Sequence, residues 1–300
     1  MQAAGPAAQA IAELSWLLFI GGAVIFAGVM LLLGWAVRRR AAPLRPGLWL
    51  IGGDVVFPAV VLVALFAHAV PRTPPWRPVP PADALVVSVT ARLWWWEVRY
   101  PGQAGSPEIV TANQIHIPVG QPVYLALASD DVIHSFWVPA LAGKMDMIPG
   151  RIQHLLLSAS QPGIYRGQCA EYCGEQHARM ALHVVAQAPE AFAAWRMAQA
   201  QQAVDAPAPL ERGRQTFLAN RCDACHTVRG VTGQSRLGPD LTHLASRLHL
   251  AAGTLPNTPE GLARWVAHVQ EVKPGAHMPS YDRLDGEALT ALTGWLGSLK

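Results

Sequence analysis

The sequence is poor in charge. Charged residues make up 14% of its 300 residues, and the formal net charge is only +3. A protein that binds nucleic acid would present a clustered basic face, whereas the arginines here are scattered apart from one short run. The sequence also lacks an internal repeat of the solenoid type. We therefore expect no nucleic-acid partner and no repeat architecture.

Cysteine is scarce as well. The four cysteines form two local pairs, Cys169 with Cys173 and Cys222 with Cys225. An oxidising compartment would permit disulfides. Each pair nevertheless lies inside a motif that uses thiols for another purpose, so we interpret both pairs as candidate cofactor ligands.

Long apolar runs are present at the N-terminus. Residues 14–37 and 47–70 each reach the length of about 20 residues that crosses a bilayer, although Asp54, Pro58 and His68 interrupt the second run. A cleaved signal peptide is the alternative for the first run, but it needs a positively charged start and a shorter apolar core. The preceding residues, MQAAGPAAQA, contain no lysine or arginine. We therefore expect two membrane spans.

The arginines around these runs predict their orientation. Most of them lie in the short connection between the spans, and fewer follow the second span: Arg38, Arg39, Arg40 and Arg45, against Arg72 and Arg77. The positive-inside rule places the connection in the cytoplasm and both termini outside. The sequence thus predicts a two-pass protein of the bacterial inner membrane whose remaining parts lie in the periplasm or outside.

After the N-terminal segment, residues 1–70, the composition and the apolar periodicity of the sequence change several times. A Pro-rich spacer over 71–83 is expected to be stiff and extended. Residues 84–188 contain short β-type runs separated by turn residues, which is typical of a β-sandwich or barrel. Residues 189–209 are rich in Ala, Pro and Gln and predict a flexible linker, and 210–300 have helical periodicity. The predicted fold class is therefore multidomain: a transmembrane helical hairpin, an all-β domain and an all-α domain.

The second cysteine pair lies in a haem-attachment motif. Cys222 and Cys225, followed directly by His226, form the C-x-x-C-H signature of covalent haem c, in which the histidine is the proximal iron ligand. Met278, in the downstream stretch KPGAHMPSY, is the expected second axial ligand, and a methionine there raises the potential. The neighbouring His277 is the alternative. This segment resembles a class I cytochrome c, and the competing thioredoxin-type reading lacks a βαβ context.

The first pair lies in QCAEYCGEQHARM, residues 168–180. Zinc is the ordinary metal for cysteine and histidine, but thioether sulfur is a poor zinc ligand and a good copper ligand. A one-copper blue site uses one cysteine, so a second thiolate is surplus unless both bridge two copper ions. The candidate ligands of such a pair are two thiols, two imidazoles, one thioether and one backbone carbonyl: Cys169, Cys173, His134, His177, Met180 and Glu171.

These motifs, with DVIHSFWVP, KMDMIPGR, PGIYRGQC and LWWWEVRYP, resemble subunit II of haem-copper cytochrome c oxidases, in the variants that carry a fused cytochrome c. The resemblance implies a cupredoxin fold for 84–188 and a dinuclear copper centre, the CuA site, with the six ligands named above. It also implies that the Glu171 carboxylate reaches a magnesium ion shared with subunit I. Trp94 matches the tryptophan through which electrons reach the copper.

The same resemblance implies the function. Electrons would pass from an external donor, such as a cytochrome c or a quinol-oxidising complex, through haem c and copper to subunit I. Oxygen reduction and proton translocation would occur there, with no catalytic residue in this chain; subunit III is a further expected partner. The alternatives are a subunit of a nitric oxide reductase or a membrane-anchored electron shuttle. A nitrous oxide reductase would need a large His-rich propeller, which this sequence lacks.

Some positions depart from the family pattern or stay open. Leu93 and Trp95 stand where a glutamine and a tyrosine are usual around the tryptophan. Asp54 is the acid nearest to the position at which many relatives carry a glutamate for proton uptake, and both a functional and a merely solvated Asp54 remain open. Asp130 and Asp131 are expected either in a patch where the electron donor docks or in a solvated turn, with the turn favoured for one of them and a role for the other.

Overall fold

The computed structural model describes residues 2–39, 45–73, 79–102, 105–203 and 208–300. Arg40 and Arg77, whose charges entered the orientation prediction, lie outside these ranges, as do parts of the predicted spacer and linker. Two compact units are present: a smaller one of residues 7–78, and a larger one that contains residues 79–300.

The smaller unit contains two apolar helical segments within its described residues. Helix α1 covers Pro6–Arg38. The second segment is π-helical over Leu48–Val56, continues as α2 over Phe57–Ala69 and ends in a 3₁₀ turn over Val70–Arg72. Both segments are long and apolar enough to cross a membrane, and their mean hydropathies are 2.5 and 2.3. These helices agree with the two predicted spans.

The helix boundaries differ from the predicted spans at the N-terminal side. Helix α1 begins at Pro6 instead of near residue 14, because the alanine-rich stretch before the apolar run consists mainly of good helix formers. In the second segment Pro58, which has no N–H donor, lies where the π-helical part passes into α2. Asp54 lies in the π-helical part, and its role stays a prediction.

The larger unit begins with a β-sandwich. Its described strands form two five-stranded sheets, in the orders β3-β2-β1-β5-β8 and β4-β10-β9-β6-β7. Strand β1 runs parallel to β5 and β10 runs parallel to β4, while the other pairs are antiparallel. The strands are β1 Leu85–Arg92, β2 Trp95–Tyr100, β3 Ile109–Ala112, β4 Gln114–Pro118, β5 Val123–Ser129, β6 His134–Trp137, β7 Met145–Met147, β8 Gln153–Leu157, β9 Gly163–Cys169 and β10 Ala181–Gln187.

Side-chain alternation along the strands builds the core of the sandwich. In β1 the apolar residues Val87 and Val89 are buried and alternate with more accessible positions, and β5 alternates in the same way. Trp96 and Phe136, from opposite sheets, meet edge to face with ring centroids 5.9 Å apart. Because successive side chains of a strand point to opposite faces, burying this face exposes the other, as the sequence pattern predicts.

A helix follows the sandwich where the sequence predicts a linker, residues 189–209. Helix α3 covers Pro189–Gln199. Its Trp195 stacks on the ring of His116 at 4.1 Å and meets Tyr100 at 5.2 Å. Alanine and glutamine are good helix formers, and the large apolar side chain of Trp195 packs this helix against the sandwich. The linker prediction therefore overlaps a packed helix.

The C-terminal part is helical. Helix α4 (Glu211–Ala219) packs against α7 (Gly286–Leu296), with α5 (Pro259–Ala267), the short α6 (Val269–Val272) and a two-residue β-ladder, β11 His249–Leu250 with β12 Leu255–Pro256, between them. Phe217 and Trp295 meet edge to face at 5.0 Å in its core. Gly213 allows the close crossing, because an added Cβ would lie 2.1 Å from the carbonyl oxygen of Ala291.

Side-chain caps set the starts of two of these helices. Thr258 caps α5 by accepting from the amide of Gly261, and Asp285 caps α7 by accepting from the amide of Ala288. Each cap satisfies an amide that has no partner within its own helix. The structure thus confirms the predicted fold class: two apolar helices, a β-sandwich and a helical domain.

Candidate functional site

Strand pairing brings the first cysteine pair next to a distant histidine. Cys169 is the last residue of β9, and His134 is the first residue of β6, which pairs with β9. The ligand atoms of His134, Cys169 and Cys173 all lie within 4.8 Å of one another, and all three residues are buried. The pairing therefore closes the 35-residue separation in sequence between His134 and Cys169.

The two thiols have matching surroundings. The Cys169 sulfur lies 3.7 Å from Nδ1 of His134 and 3.2 Å from the carbonyl oxygen of Glu171. The Cys173 sulfur lies 3.6 Å from Nδ1 of His177 and 3.9 Å from the sulfur of Met180. Each thiol thus faces one imidazole and one weaker donor. The structure brings together all six residues that the sequence predicts as copper ligands, and thiolate with thioether donors suits copper better than zinc.

A carboxylate orients the His134 ring. Its Nε2 lies 2.7 Å from Oδ1 of Asp131. Burial alone would lower the pKa of His134, but the hydrogen bonds with Asp131 and Cys169 raise it to about 9. A carboxylate oxygen accepts, so Nε2 carries the proton and Nδ1 is directed at the thiols. This carboxylate–histidine arrangement is the usual outer support of a metal-bound imidazole.

Asp131 is itself held in place by the backbone. The amides of Leu93 and Val132 donate to its carboxylate, at 2.8 and 2.7 Å. The sequence predicts a donor-docking patch or a solvated turn for the two adjacent aspartates, and the contact with His134 was not predicted. The geometry assigns the support of His134 to Asp131, while Asp130 forms an ion pair with Arg92 at 2.7 Å.

The two neighbouring thiols have pKa values shifted in opposite directions. The pKa of Cys169 is lowered to about 3, mainly by the hydrogen bond from Cys173 and further by His134. The same hydrogen bond raises the pKa of Cys173. A thiolate is the form of cysteine that binds metals, so Cys169 is ready to coordinate at neutral pH, and the donor set fits a copper pair.

The Glu171 side chain points to a different environment from its carbonyl. Its half-exposed carboxylate lies 3.7 Å from the ammonium of Lys144, which also pairs with Asp146 at 3.0 Å. The Glu171 carbonyl, in contrast, faces Cys169. The magnesium role of the carboxylate stays a prediction.

A second candidate site is a cavity of about 360 Å³ in the C-terminal domain. This volume lies within the range of about 300–1,000 Å³ that is typical of ligand pockets. The four residues predicted to attach and ligate haem all line it: Cys222, Cys225, His226 and Met278. The cavity therefore gathers the predicted haem residues from two segments that are far apart in sequence.

The orientation of His226 is fixed by its neighbours. Nδ1 lies 2.7 Å from the carbonyl oxygen of Pro239. A carbonyl can only accept, so Nδ1 carries the hydrogen and Nε2 is left as the ligating nitrogen. Burial lowers the pKa of His226 and favours the neutral ring that binds iron. Gly238 packs flat against this ring, since an added Cβ would lie 2.7 Å from its Cε1. These contacts fit an axial haem ligand.

One glutamine holds the loop that carries Met278. The Gln270 amide nitrogen donates to the carbonyls of Ala276 and Met278, at 2.8 and 2.9 Å, and its oxygen accepts from the amide of Gly275 at 2.9 Å. His277 also lines the cavity. Met278 as the axial ligand, with His277 as the alternative, thus stays a prediction.

The sandwich completes the wall of the haem cavity. Leu93, Trp94 and Trp95 line it from the side of the β-domain. The indole nitrogen of Trp94 also donates to the carbonyl oxygen of Cys173, at 2.7 Å. Gly174, at φ +106°, lies directly against the indole, where a Cβ would be 3.2 Å from Cζ2. Trp94 therefore touches the cavity on one side and the thiol loop on the other.

Comparison with known proteins identifies the family. The family described as cytochrome c oxidase subunit II, periplasmic domain, matches residues 101–187, and the cytochrome c family matches residues 210–300. Cytochrome c oxidase subunit 2 of Bacillus subtilis is 30% identical over 257 residues, which cover 82% of this chain and 70% of that protein. The chain belongs to the cytochrome c oxidase subunit 2 family.

Two further relatives carry the same description. The protein of Alkalihalophilus pseudofirmus is 38% identical over 220 residues, and that of Bacillus sp. PS3 is 34% identical over 230 residues. Each alignment covers 73% of this chain, but the chain spans only 62% and 63% of the length of these relatives. Family membership confirms the resemblance drawn from the motifs, and it implies copper in the sandwich and haem in the C-terminal domain.

The contact between Gly238 and His226 leads to a first prediction. Gly238→Ala should displace the His226 ring, at a strain of about 1–3 kcal/mol for overpacking a filled site. The haem should then show altered axial ligation in its visible spectrum, with a shifted midpoint potential. Gly233→Ala is the matched control, because an added Cβ there has open space around it. Equal spectra and potentials in both variants would contradict the assignment of His226.

The contact between Asp131 and His134 leads to a second prediction. Asp131→Asn should weaken copper binding by about 10- to 100-fold, the usual loss when an outer carboxylate of a metal-bound histidine is removed. Competition with a chelator of known affinity measures the change. Asp130→Asn, which removes the same charge one residue away, should leave the affinity unchanged. If both variants bind copper like the parent chain, Asp131 does not support the site.

Proposed function

We propose that the chain is the electron-input subunit of a respiratory cytochrome c oxidase. It would receive electrons from an external donor and pass them to a subunit I, where oxygen is reduced to water and protons are translocated. The observation that carries the proposal is the position of Trp94, which lines the candidate haem cavity and donates a hydrogen bond to the thiol loop. Family membership supports the electron-transfer role.

The residues of the helical domain would hold haem c. Cys222 and Cys225 would form the covalent thioether links, His226 would be the proximal ligand and Met278 the distal one. The Pro239 carbonyl fixes the His226 ring, and Gln270 fixes the backbone of the Met278 loop. These contacts hold the two proposed axial ligands before haem binds, which reduces the reorganisation needed at the iron.

The residues of the sandwich would hold the copper pair. Cys169 and Cys173 would bridge the ions, His134 and His177 would each ligate one, and Met180 and the Glu171 carbonyl would be the weak ligands. When bound, haem c and the dinuclear copper centre each take up and release single electrons. Cys169, Cys173 and His134 are buried, and Asp131 holds the His134 ring, so these residues would exclude water from bound copper and restrict their own movement during transfer.

A single side chain, Trp94, lies between the two candidate sites. The Trp94 indole spans from the cavity wall to the Cys173 carbonyl through one hydrogen bond of 2.7 Å. A flexible tether, as the sequence analysis expected, would provide an effective concentration of the order of mM. The described contacts between the two domains instead keep donor and acceptor side by side. Such an arrangement removes the search step from each transfer.

The partners and location follow from the same proposal. The two apolar helices would anchor the chain in a bacterial inner membrane and pack against subunit I, with subunit III nearby and the other domains in the periplasm or outside. A cytochrome c or a quinol-oxidising complex would reduce the haem. The Glu171 carboxylate would contribute to a magnesium site shared with subunit I.

The Trp94 hydrogen bond leads to a third prediction. Trp94→Phe keeps an aromatic ring but removes the N–H that reaches Cys173. Haem-to-copper transfer after flash reduction should slow severalfold, because the hydrogen-bonded link between the indole and the Cys173 carbonyl is lost. The absorption spectra of copper and haem should not change, because Trp94 contributes no ligand atom.

The neighbouring tryptophan supplies the control for this experiment. Trp95 also lines the cavity, but its ring lies against Arg92, with the guanidinium carbon 5.7 Å from the ring centroid. Trp95→Phe should therefore transfer electrons at the rate of the parent chain. A Trp94→Phe rate equal to that of Trp95→Phe would mean that electrons reach the copper by another route.

Purification of the whole complex gives a fourth prediction. The chain, extracted from its native membrane, should co-purify with a large subunit that carries haem and a single copper ion. Removing the bridging thiol with Cys173→Ser should abolish the copper of this chain and leave the copper of the partner in place. A partner with haem but no copper would favour the alternative, a nitric oxide reductase, and a chain without any partner would favour an electron shuttle.

A further inference from the structure

A buried lysine lies between the sandwich and the helical domain. Lys273, directly after α6, is only 3% exposed. Its ammonium nitrogen lies 2.7 Å from the carbonyl oxygen of Trp94, 2.9 Å from that of Arg179 and 3.4 Å from that of Ala251. Trp94 and Arg179 belong to the sandwich and Ala251 to the helical domain. A lysine of one domain therefore bonds to the backbone of both.

The number of acceptors matches the ammonium form of this side chain. Lysine carries three N–H donors when it is charged, and three carbonyl oxygens surround Lys273. The group is buried, so water solvates it poorly. A buried charge is costly unless it is well hydrogen-bonded. The side chain therefore depends on both domains being in contact.

The residues beside Lys273 are held by the loop that carries the copper ligands. The Arg179 guanidinium donates to the carbonyl of Val272, and the Gln176 amide donates to the carbonyl of Pro274, both at 2.7 Å. Gln176 and Arg179 flank His177 and Met180 in sequence. Three consecutive residues, 272–274, are thus bonded to the sandwich, and Met278 follows a few residues later in the same loop.

A second row of contacts extends the interface beyond Lys273. The Ala181 amide donates to the carbonyl of Ala252 at 2.9 Å, and the rings of His183 and His249 stack at 4.3 Å. An added Cβ on Gly253 would lie 2.9 Å from the Cβ of Ala181. The backbones therefore approach closely on this side as well, and the two domains meet over a continuous surface.

We propose that Lys273 is a positioning residue that locks the helical domain onto the Trp94 face of the sandwich. The proposal deepens the proposed function and rests on it. By bonding to the Trp94 and Arg179 carbonyls, Lys273 fixes the backbone at the cavity wall and at the copper-ligand loop with a single side chain. Electron transfer then takes place within a permanently docked pair of domains, with no docking step before it.

Lys273→Met tests the proposal in the full-length, metal-loaded protein. Methionine has a similar length but no N–H donor, so the docked population should fall. Haem-to-copper transfer after flash reduction should slow about tenfold if the docked fraction drops to roughly one tenth. The remaining rate should decrease further when glycerol raises the solvent viscosity, because domain encounter then precedes transfer. The parent rate should not depend on viscosity.

Hydrogen exchange provides a readout that does not depend on electron transfer. The Ala181 amide donates across the interface, so its exchange should accelerate in Lys273→Met as the undocked fraction rises. Arg264→Met, which removes an exposed cation of the same domain, is the control and should change neither the rate nor the exchange. Where Lys273→Met does not load its cofactors, Lys273→Gln, which retains donors on a shorter side chain, carries the same test.

The outcomes separate this inference from the proposed function. Slow, viscosity-dependent electron transfer in Lys273→Met, with faster amide exchange at Ala181, supports the proposed role of Lys273. A rate and an exchange pattern like those of the parent, in a chain where Trp94→Phe still slows transfer, would overturn the role of Lys273 and leave the proposed function standing. If neither substitution slows transfer, the route through Trp94 fails, and the inference fails with it.

Discussion

The hydrogen bond from the Trp94 indole to the Cys173 carbonyl is the contact that connects the two candidate sites, and the proposed route between them depends on it. It joins the start of β2 to the thiol loop, and the same indole forms part of the haem cavity wall. Because the donor is a ring and the acceptor a backbone atom, the bond restrains the loop without using any ligand atom.

Both candidate sites use the same means to select a ring nitrogen. An acceptor that cannot donate lies against one nitrogen of the histidine, so the other nitrogen must face the site. The Asp131 carboxylate does this for His134, and the Pro239 carbonyl does it for His226. The tautomer and the ring angle are thus decided before any metal binds, which lowers the entropy that is lost on coordination. Gly238 also restrains the His226 ring, because a side chain at residue 238 would collide with it.

Burial of polar groups at the interface has a consequence for dynamics. The Lys273 ammonium and the Arg179 guanidinium both bond to carbonyl oxygens of the opposite domain. Separation of the domains would expose these carbonyls and require water to replace each bond. A single hydrogen bond contributes only about 0.5–1.5 kcal/mol net, so the stability of the contact comes from many bonds acting together. Helix α3 is also held against the sandwich, because Trp195 packs on His116. The chain therefore leaves the sandwich along a defined helix.

The sequence alone determined the local chemistry: the spacing of Cys169, Cys173, His177 and Met180, the haem-attachment motif and the two apolar spans, because these signals lie within short stretches or in simple periodicity. His134 was reached only by resemblance and by counting ligands, and strand pairing then brought it next to Cys169. Tertiary structure alone decided which aspartate supports His134, that α3 packs where a linker was expected, and that Lys273 reaches Trp94. Asp131 and His134 are only three positions apart, but the sequence does not record the direction in which their side chains point. Lys273 and Trp94 are 179 positions apart, and no local pattern records their contact, because it depends on how the sandwich and the helical domain meet.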